Sequence, residues 1–337
     1  MINIAINGFG RIGRMAFRAI QKHPDLRVVA VNDLSDARTL AYLLKYDSVH
    51  QPIEASVSAE GDTLIVNGNE IKVLSCRDID QLPWRELGVD IVLESTGRNK
   101  TRQVLNKHLN AGAKKVILTV PAETASDVDA TVVLGVNDAV LNPDLRLISN
   151  ASCTTNCISP IVKVVHEKFG IKHGLINTVH SFTNDQKILD QPHADFRKAR
   201  AMGVSIIPTS SGAAKAVGLV LPELKGKLDG FAMRVPVPDV SVVDMTLQLM
   251  TTATKDEINR EIQQAADSYL QGIVQYTDEP LVSVDIIDNC HSSIFDSSLT
   301  LVMDGNYCKL VIWYDNEMGY SNRLAELASR IGKFITK

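Results

Sequence analysis

Ile2-Asn3-Ile4-Ala5-Ile6-Asn7-Gly8-Phe9-Gly10-Arg11-Ile12-Gly13 follows directly on Met1 and decides how the first half of the chain is read. The first six residues form an apolar, β-rich run, and Ile12, Met15, Ala16 and Ile20 then recur at helical spacing as far as about Lys22. Gly8, Gly10 and Gly13 stand between that strand and that helix in the spacing G-x-G-x-x-G. The first glycine allows a tight turn, the second lets backbone approach a pyrophosphate, and the third lets helix and strand pack closely, while the helix N-terminus offers unpaired N–H groups to the anion. Asp33 ends the second apolar run, Leu26 to Asn32, where a carboxylate accepts hydrogen bonds from ribose hydroxyls. That acid favours NAD, because a 2′-phosphate would meet its like charge, although Arg38 stands close by. Three glycines alone are only a turn and a packing contact; strand, helix and acid together make dinucleotide binding the reading.

Further strand candidates follow at Asp90 to Leu93, Val116 to Val120, Thr131 to Val136 and Leu145 to Ile148, with helical or loop segments between them. This alternation predicts an α/β Rossmann domain, with a doubly wound, mostly parallel sheet, over 1–150. After Asn150 the candidates are longer, at Phe231 to Val237, Ser241 to Met250, Ser298 to Met303 and Tyr307 to Trp313, several alternating with period two. They predict an α+β catalytic and oligomerisation domain over 151–315 with a mixed or antiparallel sheet. Asp304-Gly305 suits a hairpin turn between the last two strands. Thr254 and Glu257 read as a capping box before Ile258 and Ile262. Leu324, Leu327, Ala328 and Ile331 mark a closing helix, and 316–337 is expected to pack back on the first domain.

A chain of 337 residues with 45% apolar content is long enough for two packed domains, because single cores stop growing near roughly 250 residues. A net charge of -4 gives no electrostatic footprint for nucleic acid, so small-molecule ligands are expected. Without an apolar run of roughly 18 residues or a signal core, the expected place is the cytoplasm. The five cysteines are too sparse for a disulfide framework and are expected as free thiols.

Ser149-Asn150-Ala151-Ser152-Cys153-Thr154-Thr155-Asn156-Cys157 leads into the helix-compatible Ile158 to Val165 and places Cys153 at a helix N-terminus. There the helix dipole favours a thiolate nucleophile. Cys153 and Cys157 lack the second ligand pair of a zinc site, so no metal is expected. Asn177 to Phe182 reads as a strand ending in His180, one of eight histidines and a candidate general base. Arg234, a charge amid Phe231, Ala232, Met233 and Val235, calls for an anionic partner, either a salt bridge or a substrate phosphate. Pro208-Thr209-Ser210-Ser211-Gly212 fits a turn or a phosphate site.

These residues resemble the phosphorylating glyceraldehyde-3-phosphate dehydrogenase family along essentially the whole chain. The resemblance is carried by Asn7 to Arg14, Ser149 to Cys157, Ser211 to Lys215 and Trp313 to Glu317 with Tyr320. It implies NAD-dependent oxidation of D-glyceraldehyde 3-phosphate to 1,3-bisphosphoglycerate through a thioester on Cys153, with His180 as base. It implies cofactor contacts from Arg11, Ile12, Asp33, Arg77 and Thr119, with Asn316 orienting the nicotinamide carboxamide. Thr183 and Arg234 would hold the C3 phosphate, and Ser152, Thr154, Ser211 and Gly212 would surround inorganic phosphate. The segment 181–204 resembles a loop that packs near a neighbouring subunit, implying a homotetramer.

Ser211 stands where the family usually has threonine, which keeps the hydroxyl. Lys198 stands where similar bacterial enzymes often carry arginine, turning a two-pronged phosphate contact into a point charge. Leu34 and Pro192 resemble NAD-selective members. The alternative is erythrose-4-phosphate dehydrogenase, whose relatives depart from Thr183-Asn184-Asp185-Gln186 and from Ser211-Gly212, both retained here. A binding protein that has lost catalysis is disfavoured by intact Cys153, His180 and Arg234.

Overall fold

The computed structural model describes residues 1–335, so residues 336 and 337 of the expected closing segment lie outside the described residues. The chain divides into two compact units. The first comprises Met1–Val132, Asp138–Ser152 and the segment from Ser321 onward; the second comprises Val133–Asn137 and Cys153–Tyr320.

In the first unit, nine strands make one sheet: β1 (Ile2–Asn7), β2 (Leu26–Asn32), β3 (Val57–Glu60), β4 (Thr63–Val66), β5 (Asn69–Leu74), β6 (Ile91–Glu94), β7 (Lys115–Leu118), β8 (Ala130–Thr131) and β9 (Leu147–Ser149). Their order is β3-β4-β5-β2-β1-β6-β7-β9-β8. All pairings are parallel except β3 with β4 and β4 with β5. The connecting helices are α1 (Arg11–Ile20), α2 (Ala37–Lys45) and α3 (Arg102–Asn110). The central strands are apolar because both faces are covered: Ile4, Ala5, Ile6, Val92 and Leu93 are all 0% exposed.

Two expectations change here. Residues 57–74, read as helix or loop, form the antiparallel β3, β4 and β5, in which the burial of Thr63–Val66 alternates residue by residue. Thr131 to Val136 is not a strand beyond Thr131, because Gly135 adopts φ +82 and the Asn137 side chain accepts from the Val133 N–H at 2.9 Å, bending the apolar run into a turn.

The second unit carries α4 (Cys153–Phe169), β10 (Ile171–Ser181), β11 (Ile207–Ser210), α5 (Ala213–Val220), β12 (Leu228–Val235), β13 (Ser241–Leu249), α6 (Lys255–Ala266), β14 (Val274–Thr277), β15 (Ser293–Asp296), β16 (Leu301–Met303) and β17 (Tyr307–Tyr314). Its mixed sheet runs β11-β12-β10-β13-β17-β15-β14, with β16 on β17. The Thr254–Glu257 box caps α6, and Asp304 and Gly305, both at positive φ, turn β16 into β17. The expected strand from Ser298 starts only at Leu301, because Ser297–Leu299 forms a short helical turn before β16. The last helix, α7 (Met318–Gly332), starts before the apolar stripe that announced it. From Ser321 onward it belongs to the first unit, where Ser329 donates to Asp25 at 2.5 Å and Arg330 pairs with Asp138. Among the described residues no helix is long and apolar enough to cross a membrane, and the five cysteines are free thiols.

Candidate active site

The first unit holds a cleft of about 540 Å³ at the C-terminal ends of β1, β2 and β6, lined among others by Gly8, Gly10, Asp33, Leu34, Arg77 and Thr96. The three glycines of the turn differ in what surrounds them. Gly8 sits at φ +90, and a Cβ there would lie 2.8 Å from the Thr96 nitrogen. A Cβ on Gly13 would lie 2.2 Å from the Gly8 carbonyl oxygen, so that glycine lets α1 press on the turn. At Gly10 a Cβ would meet nothing within 4 Å. Protein packing does not demand a glycine at that position, and the bare backbone leaves the turn open to close approach by a ligand. Asp33 holds the turn by accepting from the Phe9 N–H at 2.9 Å and from the Ser35 N–H at 3.1 Å. The residues fit a dinucleotide: glycine backbone at a helix start for phosphate, a carboxylate at the end of β2 for ribose.

Arg11 and Ile12 open α1 and are half-buried. Arg11 is paired with Asp47, a residue sequence reasoning passed over. Burial pushes the Asp47 carboxyl up, but the backbone N–H groups of His50 and Val49 and the Arg11 guanidinium outweigh it and hold it at about 2. Arg77 is exposed on the cleft. Thr119 is buried, and both its N–H and its hydroxyl donate to the Glu94 carbonyl at 3.1 Å.

In the second unit Cys153 is the first residue of α4 and half-buried. Two residues earlier the chain passes through Ala151 at φ +55, a left-handed conformation that costs a non-glycine residue roughly 1 kcal/mol or more. The Cys153 Sγ lies 3.7 Å from Nε2 of His180 and 3.9 Å from the Thr154 hydroxyl. Strand register brings up the next group, because His180 on β10 is the parallel partner of Arg234 on β12. Arg234 Nη1 donates to the Ser181 carbonyl at 2.8 Å and lies 2.6 Å from His180 Nδ1.

Burial lowers His180 to about 3, and the adjacent Arg234 charge adds to it, against the backbone of Ser181 and the carboxylate of Asp185. The imidazole is therefore neutral near pH 7. Burial also raises the Cys153 thiol, opposed by the Thr154 hydroxyl and the Arg234 charge. The helix terminus by itself predicted a lowered thiol; desolvation overrides it, and deprotonation depends on a neighbouring base.

Asn316 is buried, and its Oδ1 accepts from the hydroxyls of Ser181 at 2.9 Å and Ser241 at 2.7 Å. That leaves its Nδ2 as the presented donor. Thr183 donates to Asp185, and the Asp185 carboxylate also accepts from Lys198 Nζ at 3.3 Å. Burial pushes Asp185 up, but the hydrogen bond from Thr183 and the charges of Lys198 and Arg234 bring it below the usual range. Ser152 directly precedes α4, and the Thr154 hydroxyl meets the Tyr314 hydroxyl at 2.8 Å. Ser211 and Gly212 lie at the start of α5, where Ser211 Oγ accepts from the Ala213 N–H at 3.3 Å. Among the described residues no hydrogen bond joins Ser211 or Gly212 to Cys153, His180 or Arg234. Asp185 and Tyr314 lie within stretches that carry the resemblance but were given no role there; each is picked out only by the residue it touches.

Comparison with known proteins bears on both units. Residues 2–102 match the glyceraldehyde 3-phosphate dehydrogenase NAD binding domain, and residues 152–316 match the C-terminal domain of the same family. The chain is 57% identical over 331 residues to glyceraldehyde-3-phosphate dehydrogenase of Geobacillus stearothermophilus, covering 98% of each. It is 54% identical over 335 residues to glyceraldehyde-3-phosphate dehydrogenase 1 of Bacillus subtilis (98% of each), and 53% identical over 339 residues to the Borreliella burgdorferi protein of that name (98% of this chain, 100% of the relative). With a glycine turn shaped for a dinucleotide in one unit, a cysteine beside a neutral histidine in the other, and likeness at this level over nearly its full length, the chain belongs to the glyceraldehyde-3-phosphate dehydrogenase family.

Proposed function

We propose that this chain catalyses the NAD-dependent, phosphorylating oxidation of D-glyceraldehyde 3-phosphate to 1,3-bisphosphoglycerate through a thioester on Cys153. The observation that carries the reading is the 3.7 Å approach of the Cys153 sulfur to His180 Nε2 at the start of a helix. His180 takes the thiol proton, the thiolate attacks the aldehyde carbon, and the protonated imidazole returns that proton to the resulting oxyanion to give a hemithioacetal. His180 then accepts the hemithioacetal hydroxyl proton as that carbon is oxidised to the thioester. NAD, bound through the Gly8–Gly13 turn and Asp33 with Arg11, Ile12, Arg77 and Thr119 near it, supplies the hydride acceptor. Inorganic phosphate attacks the thioester, releasing the acyl phosphate and returning the sulfur as thiolate.

The Cys153 backbone N–H and the protonated imidazole stabilise the oxyanion, each well-placed donor contributing on the order of 3 kcal/mol. Thr183, Lys198 and Arg234 hold the substrate phosphate, while Ser152, Thr154, Ser211 and Gly212 receive the attacking one. Thr154 is able to donate there because the Tyr314 hydroxyl can act as donor in their mutual bond. Asn316 Nδ2 is the donor for the nicotinamide carboxamide.

The protein assembles as a homotetramer in the cytoplasm. Supporting assembly, Ile188, Leu189, Phe196, Val204 and Ile206 are between 65% and 88% exposed within one stretch of chain, large apolar side chains that assembly would cover. Light scattering on the purified protein measures this, and a monomer would refute it.

The deciding assay follows NADH formation from glyceraldehyde 3-phosphate and erythrose 4-phosphate, with and without inorganic phosphate. Phosphate-dependent oxidation of the triose, abolished in Cys153→Ala with NAD binding retained, is expected. Phosphate-independent turnover favouring the tetrose would transfer the assignment to erythrose-4-phosphate dehydrogenase.

A further inference from the structure

The C-terminal ends of three adjacent parallel strands carry polar side chains in one row. Asn32 on β2 and Glu94 on β6 are both register partners of Asn7 on β1. All three are buried, Glu94 at 0% exposure. Beyond Glu94 stand His108 and Trp84, each also at 0%. The Trp84 indole N–H, which can only donate, gives its proton to His108 Nδ1 at 3.0 Å. The ring proton of His108 therefore sits on Nε2 and is donated to Glu94 Oε2 at 3.0 Å.

Glu94 receives four donors more. Asn7 Nδ2 reaches Oε2 at 2.6 Å and Asn99 Nδ2 reaches it at 3.1 Å, while the Thr96 N–H and hydroxyl reach Oε1 at 3.0 and 2.5 Å. An ionised carboxylate is the one side chain of this size that accepts them all. Burial pushes its carboxyl up, yet the hydrogen bonds from His108, Thr96 and Asn7 hold it below its ordinary value.

That acceptor sets every direction downstream. With its Nδ2 turned to Glu94, Asn7 presents Oδ1 to Asn32 Nδ2 at 2.7 Å. Asn32 then exchanges paired bonds with the Cys76 backbone, donating to its carbonyl and accepting from its N–H, both at 2.9 Å. Asn7, Asn32, Cys76, Arg77, Thr96 and Asn99 all line the cleft that holds the glycine turn and Asp33.

We propose that Glu94 is the positioning residue of this cleft: its buried carboxylate orders a hydrogen-bond row from Trp84 to Cys76 and thereby fixes the walls that receive the ADP half of NAD. The proposal rests on the assignment of NAD to that cleft. Glu94→Gln keeps the shape but inserts two N–H donors among donors, so Asn7 and Asn32 must turn over and release the Cys76 backbone.

Calorimetric titration of the whole enzyme with ADP-ribose and with NAD tests it. Glu94→Gln should weaken both roughly tenfold. Turnover at saturating NAD, the KM for the aldehyde, and the rate at which iodoacetamide alkylates Cys153 should stay within about twofold. Unchanged ADP-ribose affinity overturns the proposal, as does a loss of affinity matched by equal losses in alkylation rate and thermal midpoint, which marks general damage. Should Glu94→Gln not fold, the pair His108→Gln, which retains a donor to Glu94, and His108→Leu, which does not, decides the matter: weaker ADP-ribose binding in the leucine variant alone is expected, and equal binding in both refutes it. Asp33→Ala serves as control in the same titration. If it leaves ADP-ribose binding intact, the assignment of the cleft falls, and the proposal with it.

Discussion

Arg234 Nη1 lies 2.6 Å from His180 Nδ1, and both atoms reach the Ser181 carbonyl oxygen, at 2.8 and 2.7 Å. A guanidinium only donates, so Nδ1 has two exclusive options: it accepts from Arg234, or it carries a proton and donates to Ser181. Only the second leaves a lone pair on Nε2, the atom that faces the Cys153 sulfur. Arg234 thus competes with the tautomer that leaves Nε2 open as an acceptor, and an anion that drew the guanidinium away would release it.

Arg234→Leu should separate these effects. With Arg234 in its proposed role on the substrate phosphate, losing two charge-assisted contacts should lower kcat/KM by roughly 100-fold or more. Because the Arg234 charge is, after burial, the second influence holding His180 down near 3, the histidine should titrate at higher pH in the variant. The pH profile of Cys153 alkylation reads this directly. An inflection that does not move would show that the contact has no electrostatic consequence.

Asp185 already occupies Thr183 and Lys198 as an anion would. Asp185→Asn removes that competing charge while keeping the loop's shape. The KM for the phosphorylated aldehyde should fall by about threefold to tenfold, with a shallower dependence on salt. A KM that rises instead would mean that the carboxylate organises Thr183 and Lys198 for the substrate.

The glycines of the turn make opposite forecasts. Gly10→Ala meets no protein atom within 4 Å, so thermal stability should stay near that of the parent while NAD affinity drops roughly tenfold. Gly13→Ala drives a Cβ to 2.2 Å from the Gly8 carbonyl oxygen, and overpacking of that kind typically costs about 1–3 kcal/mol or more. Thermal melts and NAD titrations of the two variants check both claims. Comparable melting points in both would contradict the packing account of Gly13.

Acid stability follows from His180. Its value is about 3 in the folded chain against an ordinary 6.5, so below pH 6.5 the unfolded chain binds a proton that the folded chain refuses. Folding stability therefore declines as pH falls from about 6.5 towards 3. Asp47, held at about 2 against 3.8, adds a second decline below pH 3.8, as its unfolded form takes up a proton first. Urea midpoints measured across this range should fall on acidification, and His180→Asn should flatten the upper part of the slope. A variant that keeps the parent's slope between pH 6 and 4 would assign it to other groups.

Local demands were written locally. A positive φ at Gly8, an absent Cβ at Gly13 and the reciprocal cap of Thr254 and Glu257 each involve neighbours in the chain, so a contiguous stretch states them in full. The same holds for Cys153 at a helix start and for His180 near the end of β10. Residues 57–74 escaped the reading because their strands are short and half exposed, and Thr131 to Val136 misled it because apolar composition does not separate a buried turn from a strand.

From its sequence alone this protein has its dinucleotide turn, its alternation of strands and helices, and the likeness that names its family. Only the folded chain decides that Cys153 meets His180, that Arg234 lies against the same imidazole, and that Glu94 collects its donors from Asn7, Thr96, Asn99 and His108. Two of these pairs, His180 with Arg234 and Asn7 with Glu94, are joined by strand register. Register is settled by which faces of many strands are buried together, a property of the whole sheet that no single stretch of residues contains.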